Sequence, residues 1–165
     1  MNPMERLLES VENWSELVIR ESRIPKRYLD QLESPKVREA IIAVVDKATS
    51  KEGPISGDRL TSLVAEAFNF ARLPQTRAEE ILKIPLPKFS RDEEGFTYPR
   101  GQDPDAFKIW RKSQEASSRA LKDISLIELG NAMRDITEVS EGIRETELVK
   151  VTAGVFGYKK LTEQM

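Results

Sequence analysis

Shifted by 88 positions, the sequence falls on itself, and this internal repeat constrains the fold more than any other feature of the chain. Ile41 falls on Leu129, Val45 on Met133, Ala48 on Ile136 and Ile55 on Ile143. Leu60 then falls on Leu148, Leu63 on Val151, Ala65 on Ala153, Phe68 on Phe156 and Phe70 on Tyr158. Glu52-Gly53 lies one residue out of register with Glu141-Gly142. Each copy reads as an amphipathic helix, a glycine turn and a second helix. Any two amphipathic helix pairs share such spacing, but the matched turns, the shared Ile and the closing Phe-x-aromatic point to a duplication. The second copy stops early, because after Tyr158 only seven residues remain. A third helix is missing there, so the apolar faces around Val151 and Val155 are expected to lack cover and the chain to be a piece of a larger protein.

The regions around the first copy complete its pattern. Leu7, Leu8, Val11, Trp14 (or Ser15), Val18 and Ile19 recur at helical spacing, which predicts an amphipathic helix at about 4–20. A short helix is expected at 26–33, then a helix at 36–48 opened by Ser34 and Pro35. Another covers 56–68, and Thr76-Arg77-Ala78-Glu79 has the form of a capping box that would open a third helix at about 77–84. The segment 86–100 places Phe89, Phe96 and Tyr98 around a polar turn at Gly95, a hairpin signal that Pro87 and Pro99 confine to sheet edges. Helix, helix, helix, hairpin is the order of a winged helix-turn-helix. The expected fold class is therefore mainly α: a winged helix-turn-helix (three helices plus a β-hairpin wing) followed by a second, incomplete helix-turn-helix unit. The domains would be an N-terminal helical segment at 1–34, the winged helix at 35–101, a basic linker helix at 102–123 and the truncated second unit at 124–165.

Composition removes whole classes of chemistry. The 165 residues include neither Cys nor His, which leaves no disulfide, zinc ribbon, thiolate nucleophile, Ser-His-Asp triad or imidazole switch. No phosphate-binding G-x-x-x-x-G-K-[ST] loop occurs. No enzyme activity, metal or cofactor is expected. The first 20 residues carry Glu at 5, 9, 12 and 16 and so do not read as a signal peptide, and no run approaches a membrane span. A cytoplasmic location, with no membrane partner, is the resulting expectation.

Residues 36–162, and 96–162 most strongly, resemble the conserved C-terminal domain of unknown function, a tandem winged-helix-like region, of large prokaryotic superfamily-one helicases with a very-short-patch-repair-like nuclease domain. The residues that carry the resemblance are Tyr98-Pro99, Arg111, Arg119, Ile124, Ile127, Glu128-Leu129, Ala132-Met133, Gly142-Ile143, Glu147-Leu148, Ala153 and Phe156-Gly157-Tyr158-Lys159-Lys160. The chain departs from that pattern at Asn69-Phe70-Ala71-Arg72, where the family often has Gly-Leu-(Lys/Arg). The resemblance implies a non-catalytic accessory module, with DNA, or the helicase or nuclease portion of the same or a partner chain, as its partner.

Charge is distributed unevenly within an overall balance of 26 Lys+Arg against 28 Asp+Glu. Residues 72–84 carry a net +1 and 86–100 a net zero, a weak footprint for a phosphate backbone. The candidates there are Gln75, Thr76, Arg77, Lys83, Lys88 and Arg91. Between 106 and 122, Lys108, Arg111, Lys112, Arg119 and Lys122 face only Glu115, with Phe107 and Trp110 interleaved, as on surfaces that stack bases. Lys108, Trp110, Arg111, Lys112 and Arg119 thus join the candidates for nucleic-acid contact, as do Lys159 and Lys160. The alternative for Phe107 and Trp110 is that they anchor a helix to the core. The alternative for the whole chain is a protein–protein docking module, which its acidic balance favours.

Overall fold

The computed structural model describes residues 1–19, 24–113 and 119–158. The chain is mainly helical, with six α-helices among the described residues: α1 (Pro3–Ser10), α2 (Pro35–Glu52), α3 (Gly57–Ala67), α4 (Gln75–Leu82), α5 (Leu126–Ser140) and α6 (Glu145–Val155). It divides into two compact units, one of Glu16–Asp105 and one of Met1–Ser15 together with Ala106–Met165. These bounds differ from the four segments expected from the sequence, because both ends of the chain enter one unit.

In the Glu16–Asp105 unit, α2, α3 and α4 surround a core of Leu29, Ile41, Val45, Leu60, Leu63, Phe68, Ile81 and Phe89. Ser56 caps α3, its hydroxyl accepting from Arg59 N at 3.1 Å. The capping box at Thr76 does not form. Pro74, with φ −58°, is the N-cap, and α4 begins at Gln75, so Thr76 already lies inside the first turn.

Residues 86–100 form no strand. Their ladder is reduced to the isolated antiparallel bridge Arg91↔Thr97, and Thr97 bridges Ile55 as well. Thr97 exchanges both its backbone bonds with Ile55 in the turn between α2 and α3, at 2.9 Å each, and the flanking prolines supply no donor to extend a ladder. The turn itself is firm. Asp92 accepts from the N–H groups of Glu94 and Phe96 and from the Tyr98 hydroxyl, at 3.0, 3.1 and 2.9 Å, while Gly95 takes φ 88°. The acids at 92–94 thus include a turn-forming carboxylate.

In the second unit Trp110, Ile124, Ala132, Ile136 and Phe156 form the core, and Met4, Leu7, Leu8 and Val11 pack against it together with Val151 and Val155. The helix from the start of the chain thus packs on α5 and shares this core. It is shorter than expected, ending at Ser10 rather than near 20. A reciprocal Asn2–Glu5 capping box opens it. Beyond it, Trp14 N–H donates to Lys112 O at 2.9 Å and Lys112 N–H to Glu12 O at 3.1 Å, so backbone bonds to a distant segment replace the next helical turn. The expected helix over 105–122 is absent from its described residues. Short 3-10 turns at Pro104–Ala106 and Leu121–Asp123 flank the strip 107–113, which is without helix and makes one isolated bridge at Lys112.

The repeat is visible atom by atom. α3 and α6 have identical bounds after the 88-residue shift, and α2 and α5 end at matching residues. Thr49 Oγ1 bonds Val45 O at 2.9 Å, and its counterpart Thr137 Oγ1 bonds Met133 O at 2.7 Å. Both second helices end in the same Schellman cap. Phe70 N–H reaches Ala65 O and Tyr158 N–H reaches Ala153 O, each at 2.8 Å, across left-handed Asn69 (φ 64°) and Gly157 (φ 96°).

Candidate interaction site

The strongest electrostatic feature lies inside the second unit. Glu128, on the first turn of α5, is fully buried and is held by two arginines. Arg111 donates from its backbone N–H (2.8 Å), Nε (3.1 Å) and Nη2 (2.9 Å). Arg119 donates from Nη1 (2.7 Å) and Nη2 (3.0 Å). Burial pushes the Glu128 carboxyl up, but the two guanidiniums outweigh it and hold the group below the ordinary carboxylate range. The Arg119 guanidinium also lies 5.5 Å from the Trp14 ring and 5.6 Å from the Phe156 ring, a cation between two π faces. Tyr158 closes the cluster by donating to Arg119 O at 2.6 Å, and burial raises its hydroxyl pKa.

This arrangement decides the role of the aromatic-basic segment. Trp110 is only 2% exposed, its indole N–H donating to Asp135 Oδ2 at 2.9 Å and its ring tilted on Phe156. The Lys112 ammonium is engaged by Leu8 O. Trp110, Arg111 and Arg119 are therefore core and ion-pair residues rather than a stacking surface, while Lys108 and Lys122 of this segment stand exposed. Asn131, which the sequence did not mark, fixes the strip to α5 by donating to the carbonyls of Phe107 (3.0 Å) and Ile109 (2.9 Å).

The candidates in the other unit are similarly engaged. Arg77 reaches Leu29 O and pairs with Asp30 (3.2 Å) and Glu80 (3.5 Å). Arg91 donates to Leu82 O at 2.6 Å and to Thr97, and its partial burial lowers its pKa. Gln75 is bonded to Glu79 at 3.2 Å, while Thr76, Lys83 and Lys88 are exposed. Lys159 and Lys160 lie outside the described residues. A second buried carboxylate that the sequence did not reveal, Glu52, accepts from Leu17 N–H (2.8 Å) and from Arg59 (2.9 and 3.0 Å). The hydrogen bond to Glu52 raises the Arg59 pKa against the opposing effect of burial, and the charges of Glu52, Glu16 and Glu66 add to it.

Beside this anchor, the non-helical residues Leu17–Ile19 and the α2 residues Ala43, Lys47 and Lys51 border an open groove of about 610 Å³. Val18 is 60% exposed there. Among the described residues no group of three or more acids, His or Cys could hold a metal ion, and no helix is long and apolar enough to cross a membrane. Comparison with family models, with curated proteins and with solved structures gave no match.

Proposed function

We propose that this chain is a non-catalytic accessory module that docks onto a protein partner, and that nucleic acid is not its ligand. One observation carries the reading: the cations and the aromatic best suited to phosphate and base contact are engaged within the chain. Arg111 and Arg119 face Glu128, Trp110 bonds Asp135, and Arg77 and Arg91 bond backbone carbonyls. Phosphate binding by these groups would require breaking these contacts, and for Arg111 and Arg119 it would strip a buried carboxylate of its partners. The order α2, α3, α4 and the Asp92–Gly95 turn supports a winged helix with a vestigial wing, a scaffold that also serves protein docking. The resemblance to helicase C-terminal regions supports the helicase or nuclease part of the same or a partner chain as the surface it serves.

A salt titration of fluorescence anisotropy with duplex and single-stranded DNA tests the reading. At low salt the chain is expected to bind neither more tightly than about 10⁻⁴ M, the weak edge of non-specific phosphate binding. Micromolar affinity that falls steeply with salt, and that Lys83→Glu with Lys88→Glu abolishes, would overturn it in favour of DNA.

A further inference from the structure

We propose that residues 1–14 are an exchangeable strap, clasped by Lys112, and that the seat it occupies on α5 takes the strap of a second copy of this chain. The partner is another copy, so the proposal goes beyond the docking reading above and does not depend on it.

The strap is held at few points. No residue of α1 is fully buried; Met4, Leu7 and Leu8, with Val11 just beyond the helix, lie half-buried against the core of the second unit. Among the described residues, every hydrogen bond from 1–14 to the rest of the chain ends on Lys112. Its ammonium donates to Leu8 O, its backbone N–H donates to Glu12 O at 3.1 Å, and its carbonyl accepts from Trp14 N–H at 2.9 Å. α1 has no basic residue in its last turn, so the Lys112 ammonium supplies the cation at the negative end of that helix. Beyond these bonds, the Arg119 guanidinium lies over the Trp14 ring at 5.5 Å.

A helix of eight residues is marginal by itself, and one without a buried residue opens at less cost than the core beneath it. The hinge is equally defined. Trp14 is tied to Lys112, whereas Leu17 N–H is tied to the Glu52 carboxylate at 2.8 Å, which leaves Ser15 and Glu16 between the two anchors. There the chain also passes from one compact unit into the other. Opening lifts Met4, Leu7, Leu8 and Val11 off the core and leaves a seat whose fitting ligand is the strap itself. A second copy presents the same fourteen residues. Two open chains can therefore close on each other with the native contacts kept, each giving a strap and taking one. The tethered strap competes at an effective concentration of about millimolar, so exchange grows with chain concentration and with any change that loosens the strap in cis.

Two measurements on the full chain test the exchange. In native-state hydrogen exchange, the amides of Leu7, Leu8, Trp14 and Lys112 are expected to share one rate, at least about tenfold faster than the protected amides of α5. A fluorescein-labelled peptide of residues 1–14 is then titrated by anisotropy against the native chain and against a loosened chain carrying Leu7→Ala with Leu8→Ala. The loosened chain is expected to bind it with Kd of about 10–100 µM, at least about tenfold tighter than the native chain, whose own strap competes. The peptide with both leucines replaced by Ala should bind neither chain, and adding Lys112→Met to the loosened chain should weaken binding of the parent peptide about tenfold. Strap amides as protected as those of α5, equal affinity of the two chains for the peptide, or no saturation of the loosened chain at about 1 mM would overturn the proposal. Should the loosened chain fail to fold, sedimentation equilibrium of the native chain at about 1 mM decides. A dimer that excess peptide converts to monomer supports exchange; a monomer throughout, or a dimer that the peptide leaves intact, refutes it.

Discussion

At the scale of single residues, Glu128 is the position on which the second unit depends. It is a buried acid with two guanidiniums and a backbone N–H converging on it, and removing one partner of such a cluster leaves the rest uncompensated in a poorly solvated site. Glu128→Gln is expected to destabilise the protein by about 3–5 kcal/mol, measured by urea unfolding. The folded carboxyl has a pKa below its unfolded value of about 4.3, so the unfolded chain binds the proton more tightly. The stability it adds is complete above that unfolded value and is lost as pH falls toward the folded pKa. Melting curves from pH 6 down to about pH 3 should show this acid loss in the native chain and a flatter profile in Glu128→Gln; parallel profiles would refute the assignment. The same cluster explains why the basic segment misled the sequence reading. Two of its cations, Arg111 and Arg119, are paired with Glu128, which lies outside the 106–122 window. Pairing is a property of space, and a sequence window has no access to it.

At the scale of elements, the helices were legible wherever their apolar stripes and caps were local. The closing aromatic positions of α3 and α6 match in sequence, and both helices end there in Schellman caps, one at Asn69 and one at Gly157. What failed was governed by distant backbone partners. Trp14 and Val18 fit a helical period, yet Lys112 O and the Glu52 carboxylate claim the N–H groups of Trp14 and Leu17. Residues 105–122 likewise looked helical, but Asn131 and Glu128 bond the backbone of 107–111, which forms no helix. Among the described residues, α1 packs on α5 and shares its core. Leu7→Ala and Leu8→Ala should each cost about 1–2 kcal/mol, less than for fully buried leucines because both are half-buried. Hydrogen exchange should report the loss as faster exchange in α5 and α6; unchanged protection there would mean that α1 is not their cover.

At the scale of the whole molecule, one unit is continuous in sequence and the other is assembled from the two flanks of the first. Local periodicity announced the duplication but carried no sign of this arrangement, because no sequence pattern marks which distant helix fills an open face. The α1–α5 pairing spans more than a hundred residues and must overcome the entropy of closing that loop, whereas α2–α3 and α5–α6 close over short turns. Pulse-labelling exchange during refolding is therefore expected to protect α2 and α3 before α1, and protection of α1 first would contradict the order.

The placement of α1 also bears on how the protein is made. An eight-residue helix is marginal by itself in water, and its partner α5 leaves the ribosome more than a hundred residues later. At about 5–20 residues per second, the nascent chain spends roughly 6–25 s with Leu7, Leu8 and Val11 exposed. During that interval the Glu16–Asp105 unit has already been synthesised. The interval leaves the apolar face of α1 without its folded partner while the rest of the chain is still being made.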